Sequence, residues 1–399
     1  MKKYIKFILI LIIISIISFS VFKYTDKYKI KILKNSMQCS VITKGVNSAK
    51  AIAIDENKNL YIAIKDSIKV IDNEGIEKII IKNLGGEIED IKYKNNSIYI
   101  ISGEKLIEYS IKDRSLDILI NSMPYSGNNI SRKLLCYEDK LLIAIGSKTN
   151  SGIDSNGEVE NISEGRGDLI NGGLYEFNTK TKEITSFASG IRGITGMDIN
   201  SKGEIIALFS GINNNDERKI NRDTDYIYKV DKGEWYGFPD FSGGNYITSP
   251  RFKGNTLVEP ILKTPVKKIV KGPLMEGNTL DSLNEMAIDS EGKVLERDGI
   301  LYCNNKDKLI SAFLDENIKI NILKLQNKSK IEDIIYDSNG FYILDSGVGI
   351  IYLLHEKEIF NAFFLETIVW ILIGILFFSI LTIIIMKGVG GKNEKNISG

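Results

Sequence analysis

From about residue 50 to residue 355 apolar and polar positions alternate with a period of two, in runs of four to eight residues broken by Asp, Asn and Gly. Such alternation places apolar side chains on one face of a strand, and the Asp/Asn/Gly breaks suit tight hairpins better than helices. The pattern recurs six times. Its copies begin at Ala51 (AIAIDENKNLYIAIKDSIKVID), at Ile88 (IEDIKYKNNSIYIISGEKLIEYSI) and at Arg132 (RKLLCYEDKLLIAIGS, resuming at Gly173 with GLYEFN). Three more begin at Ile194 (ITGMDINSKGEIIALFSG, resuming with DYIYKVD), at Leu283 (LNEMAIDSEGKV, then GILYCNNKDKLISAFL) and at Ile331 (IEDIIYDSNGFYILDSGVGIIYLL). Six meandering antiparallel units predict an all-β, six-bladed β-propeller. The last copy supplies three strands, so the ring is expected to close with a fourth strand from around residues 30–43, which otherwise has no partner and would leave a sheet edge open.

Three insertions interrupt the repeats, at residues 147–172, 211–224 and 232–282. The first two fall between second and third strands, and the third follows a third strand. All three are therefore expected on one face of the disc, over the central channel, where insertions tend to carry function. Arg132 and Arg192 precede inner strands on that same face. Their forked guanidinium groups suit a carboxylate or a phosphate, or else pair with loop acids such as Asp154, Glu158, Asp168 or Asp225.

Both chain ends depart from the pattern. Residues 7–22 are apolar behind Lys2, Lys3 and Lys6, and residues 367–386 are apolar and uncharged, followed by Lys387, Lys392 and Lys395. The second run is long enough to span a bilayer, and the first reads as an uncleaved anchor or a signal peptide. The lysines place both tails in the cytoplasm and the propeller on the extracytoplasmic side of the cell membrane. The predicted organisation is an anchor or signal segment over 1–28, the propeller over 29–356, a transmembrane helix over 363–387 and a cytoplasmic tail over 388–399. A net charge of +1 over 399 residues gives no reason to expect a nucleic-acid partner. Cys39, Cys136 and Cys303 are widely spaced and odd in number, so they define no disulfide framework.

Within residues 129–245 three segments resemble the quinoprotein glucose/sorbosone dehydrogenase family, the PQQ-dependent sugar dehydrogenases. Asn129-Ile-Ser-Arg132 followed by KLLCYEDKLLIAIGSKTN, ending at Asn150, is similar to the family's His-x-x-Arg segment and the strands after it. Ala188-Ser-Gly-Ile-Arg192-Gly-Ile-Thr-Gly196-Met resembles its A-x-G-L-R-N-x-x-G-L segment. Asp225-Tyr-Ile-Tyr-Lys-Val-Asp-Lys-Gly233-Glu-Trp235-Tyr236-Gly-Phe-Pro239 resembles the segment that ends in Tyr-Gly-Trp-Pro. The resemblance implies PQQ and Ca²⁺, with Arg132, Arg192, Asn150, Asp225, Trp235 and Tyr236 near the cofactor. The run Trp235–Pro239 is read either as a packing signature of its loop or as an exposed aromatic platform. Acidic stretches at Asp154–Glu158 and 213–216 offer oxygen ligands, though without EF-hand spacing.

The family's general base is the histidine of His-x-x-Arg. Here Asn129 stands there, and an amide does not titrate near neutral pH. The one histidine, His355, lies at the far end of the last repeat. Asp168, Glu158 or Asp225 remain as bases. Three readings follow: a tethered sugar dehydrogenase with an unfamiliar base; a propeller without chemistry that binds carbohydrate or a surface partner protein; and a lactonase-type hydrolase that would need a channel-centred calcium.

Overall fold

The structure is a computed structural model. It describes residues 30–125, 132–165, 169–214, 218–252, 254, 258–263, 269–315 and 318–357. The chain divides into two compact units at His355/Glu356, and the propeller is the first. The apolar runs at 7–22 and 367–386 lie outside the described residues; among those described, no helix is long and apolar enough to cross a membrane.

Each repeat is a sheet of antiparallel strands. Blade 1 comprises Ala49–Ile54, Leu60–Ile64, Ser67–Ile71 and Glu77–Ile81; blade 2, Ile88–Lys94, Ser97–Ser102, Lys105–Ser110 and Ser115–Ile120. Blade 3 is Lys133–Tyr137, Lys140–Ile145, Gly173–Asn178 and Ile184–Ser189, and blade 4 is Ile194–Ile199, Ile205–Phe209, Tyr226–Val230 and the short Met275–Glu276. Blade 5 is Met286–Asp289, Gly299–Asn304, Leu309–Phe313 and Lys319–Lys324; blade 6 is Ile331–Asp337, Gly340–Asp345 and Ile350–Glu356. The inner strands touch in sequence from blade 1 to blade 6 and back to blade 1, which closes the ring around a channel.

Closure comes from the segment expected to supply it. Met37–Lys44 lies beside Ile350–Glu356 as the outermost strand of blade 6. Just before it, Lys31–Ile32 adds a fifth strand to blade 5, with Lys31 opposite Lys324. The N-terminal segment therefore fastens two blades.

The second strand of each blade explains why the repeats are richer in Ile and Leu than a half-exposed strand would be. In Ser97–Ser102 every residue is buried, because Ile98 and Ile100 pack toward blade 1 while Tyr99 and Ile101 pack toward blade 3. Six apolar clusters, one per blade junction, result. Truncating a fully buried Ile such as Ile100 to Ala costs about 2–5 kcal/mol by the usual transfer-plus-cavity sum.

A seventh cluster belongs to the insertions: Ile162 from the first, Ile212 and Ile220 from the second, and Phe238, Ile247 and Phe252 from the third. The third insertion also does more than link blades. It lays Glu234–Trp235 parallel to Ile184–Ser189 on the edge of blade 3, forms the hairpin Phe241–Ser242/Asn245–Tyr246, and returns as the outermost strand of blade 4.

Candidate functional site

The three insertions do meet, and one side chain joins them. Arg218, in the second, is buried; its guanidinium donates to the Ser151 carbonyl (2.9 Å) in the first and to the Pro239 carbonyl (2.8 Å), the Glu259 carbonyl (3.1 Å) and the Asp240 carboxylate in the third. Asp240 in turn accepts from the Ile261 and Leu262 amides. A buried ion pair with its remaining N–H groups taken up by carbonyls and its remaining lone pairs by amides is the arrangement a low-dielectric interior tolerates.

The residues that the resemblance assigns to the cofactor sit at the edge of this assembly, and the polar groups of Arg132, Arg192, Asn150, Asp225 and Tyr236 are engaged within the chain. Arg132 is fully buried. Its guanidinium forms a two-pronged pair with Glu89 of blade 2, and it also donates to the carbonyls of Gly103 and Pro124. The acid is not one of the loop acids that the sequence suggested; it comes from the inner strand of the preceding blade. Arg192 donates to the Asn150 carbonyl (3.0 Å), the Asn150 Oδ1 (2.9 Å) and Ser210 Oγ (2.9 Å). Asn150 completes its amide with the Asn213 N–H and carbonyl.

Asp225 accepts from the amides of Gly211 (3.1 Å), Ser282 (2.8 Å) and Leu283 (3.2 Å), while burial pushes its carboxyl up to about 6. Those bonds tie the second insertion to the end of the third. Asp154 accepts from the amides of Asn156 and Glu158, and so closes its own turn. Among the described residues, no three His, Cys, Asp or Glu side chains are grouped to hold a metal ion. Asn129, Asp168 and residues 215–217 lie outside the described residues. His355 belongs to the third strand of blade 6, Ile350–Glu356.

Trp235 and Tyr236 are both buried, which favours packing over an exposed platform. The Trp235 ring meets Phe241 edge-on at 5.7 Å, and the Tyr236 hydroxyl accepts from the Asp231 amide and donates to the Lys229 carbonyl. The backbone of this run follows the SGIRG segment: the Tyr236 amide donates to Ser189 and the Phe238 amide to Gly190. At Gly190 (φ +65°) a Cβ would stand 2.3 Å from Trp235 Nε1, so glycine is required there by both space and conformation. Two of the three resembling segments are thus one contact seen from its two sides.

The channel holds a set of ionisable groups that the sequence reading did not single out. Asp90, Asp198 and Asp333, on the inner strands of blades 2, 4 and 6, each reach across to the next blade. Asp90 Oδ2 accepts the Leu134 amide (2.7 Å), Asp198 Oδ2 the Ile288 amide (2.8 Å) and Asp333 Oδ2 the Ile52 amide (2.8 Å). The ring is therefore fastened as three blade pairs: 2 with 3, 4 with 5, and 6 with 1. A signal for these residues was present, since IEDI occurs both at 88–91 and at 331–334 and is shortened to MDI at 197–199.

Between the staples, Lys133 Nζ lies 2.5 Å from Glu285 Oε1 and Lys92 Nζ lies 3.4 Å from Asp90. Burial pushes Glu285 up to about 8 and Asp198 up to about 6, and raises Asp333. Burial alone would lower the two ammonium groups, but the carboxylates around them (Glu285, Asp90 and Asp333) hold both above the ordinary lysine value. Raised lysines are poor nucleophiles and poor bases at neutral pH. The cavity these groups line, with Tyr336 and Met286, measures about 120 Å³, room for a few waters, whereas a pocket for a cofactor-sized molecule runs to roughly 300 Å³ or more.

The fold places this chain among six-bladed propellers that resemble PQQ-dependent sugar dehydrogenases. Over 82% of this chain and 97% of the other it superimposes on the calcium structure of a carbohydrate-active enzyme of family AA12 from Trichoderma reesei (TM-score 0.64, 13% identity). It superimposes equally far on the PQQ domain of pyranose dehydrogenase from Coprinopsis cinerea (0.62, 11%), and over 80% and 98% on the PQQ-bound aldose sugar dehydrogenase from Streptomyces coelicolor (0.58, 13%). At such identities the likeness is one of fold. No protein-family model and no curated protein matches the sequence.

Proposed function

We propose that this protein is a membrane-tethered, extracytoplasmic propeller that keeps the architecture of the PQQ-dependent sugar dehydrogenases but works by binding a carbohydrate or a partner protein, without quinone chemistry. One observation carries the reading. The two arginines and the asparagine that resemblance would aim at a quinone's carboxylates are already bonded to Glu89, Ser210 and each other, inside the protein. Freeing Arg132 would strand Glu89 in a partly buried site, at a cost of several kcal/mol. The described residues thus do not fit PQQ, no three carboxylates among them are grouped to hold calcium, and Asn129 provides no base. The insertion face, stitched by Arg218 and Asp225, would then be a rigid platform for recognition.

The test is to titrate the full chain in detergent micelles with PQQ and Ca²⁺ while following thermal stability and dye-coupled oxidation of aldoses, and in parallel to screen it on a glycan array. No stabilisation by PQQ and no turnover are expected; a ligand at 100 times its Kd would add about 2.7 kcal/mol. Aldose oxidation that depends on PQQ would overturn the proposal and restore the dehydrogenase reading.

A further inference from the structure

The described chain begins and ends at one place on the rim. Ile30 and Met37 pack into the same apolar cluster as Tyr352 and Leu354, at the junction of blades 5 and 6. Eight residue steps separate Ile30 from Phe22, the last residue of the first apolar run, and ten separate Lys357 from Thr367, the first of the second. At roughly 3.5 Å per residue, fully extended links reach about 28 Å and about 35 Å. On the tethered reading, two short links leaving adjacent blades would hold that part of the rim near the bilayer, whereas a single long one would let the disc turn freely.

The side chains of this sector match such a surface. Leu33, just after the first N-terminal strand, Val41 and Ile42, in the second, and Ile318, before the outer strand of blade 5, are 38–48% exposed. The same segments carry Lys31 and Lys34, near the start of the N-terminal strands, and Lys319 and Lys324, at the two ends of the outer strand of blade 5. None of the four forms an ion pair with a carboxylate among the described residues; Lys319 and Lys324 donate to the carbonyls of Glu276 and Asp307. Exposed aliphatic side chains flanked by lysines that have no carboxylate partner suit a lipid interface with anionic headgroups. The rim of blades 1 and 2 also exposes Ile76, Ile79, Leu116 and Ile118, but no chain leads from it toward an apolar run.

We propose that the outer rim of blades 5 and 6 is a membrane-contact surface for anionic lipid, so that the disc stands on edge with the blade 2–3 side pointing away from the bilayer. The inference rests on the tethered reading above. It is tested with the full chain in nanodiscs, after replacing Cys39, Cys136 and Cys303 by Ser or Ala, by attaching a nitroxide at Leu33→Cys or Val41→Cys and, opposite, at Leu116→Cys or Ile118→Cys. Collision with oxygen, which concentrates in lipid, is compared with collision with a water-soluble nickel chelate. The expected result is an oxygen-to-nickel ratio several-fold higher at 33 and 41 than at 116 and 118, larger in discs containing phosphatidylglycerol than in phosphatidylcholine alone. Equal, water-like ratios at all four sites in a chain that has entered the discs would refute the contact surface. A chain that does not enter the discs would refute the tether itself, and the proposal with it.

Discussion

Replacing Glu285 by Gln gives the sharpest test of the channel electrostatics. Burial lifts this carboxyl from 4.5 to about 8. An acid whose folded value is raised contributes against stability as pH rises: between about 4.5 and 8 the folded protein holds a proton that the unfolded chain has released, so stability falls across that window. The shift is 8 − 4.5, about 3.5 units, worth at most about 5 kcal/mol in total. Asp198 and Asp225, raised to about 6, complete most of their titration below pH 6.5. Between pH 6.5 and 8.5 the Glu285 titration itself should then remove about 2 kcal/mol, and the comparison with Glu285→Gln separates it from Asp223 and Asp333, which burial also raises. At the specific unfolding entropy of globular proteins, a propeller of this length loses about 3 °C in Tm for that change.

The assay is thermal unfolding of the full chain in micelles, followed by circular dichroism at both pH values. The parent should melt lower at pH 8.5 than at 6.5, and the Glu285→Gln variant should show little of that slope. A parent Tm that rises or stays level over the interval, or an equal slope in the variant, would refute the placement of Glu285 as a buried acid that titrates near neutrality.

Three further outcomes are expected. Arg132→Met leaves Glu89 without its partner and should destabilise by about 3–5 kcal/mol in thermal or denaturant unfolding; adding Glu89→Gln should recover part of the loss, which a purely steric role for Arg132 would not allow. Gly190→Ala forces a Cβ against Trp235 at a positive φ and should cost more than about 1 kcal/mol, with a red shift of tryptophan emission as that ring is displaced. Asp333→Ala should raise hydrogen exchange at the Ile52 amide while leaving Ile288, which Asp198 holds, unchanged, at about 1–3 kcal/mol in stability.

The blades were legible in the sequence because both faces of each strand are buried, so Ile, Leu and Tyr recur with a fixed period whatever the partner blade. The closing strand was legible because a three-stranded last copy leaves an edge open. What Lys31–Ile32 does was not, since two residues carry no periodicity. At the candidate site the sequence brought together Arg192, Asn150 and Asp225 on one face, and their structural partners are local. Arg132 was assigned to a cofactor because its partner, Glu89, is 43 residues away on another blade. The channel staples escaped notice because a lone Asp inside an apolar strand looks like a turn residue until its acceptor role for the neighbouring blade is seen.

The three staples differ in how much chain they enclose. Asp90 reaches 44 residues forward and Asp198 reaches 90, whereas Asp333 must find Ile52 across 281. As the chain emerges from the ribosome, the first two pairs can fasten as soon as their own residues are available. The last waits until nearly the whole propeller has appeared. Until then, the strand Met37–Lys44 has no edge to join, so a segment that exposes Val41 and Ile42 emerges early and remains unpaired for most of synthesis. Anchoring its neighbouring apolar run in the membrane at the outset would hold that strand beside the place where blade 6 finally arrives, shortening the search that loop closure over such a span otherwise requires.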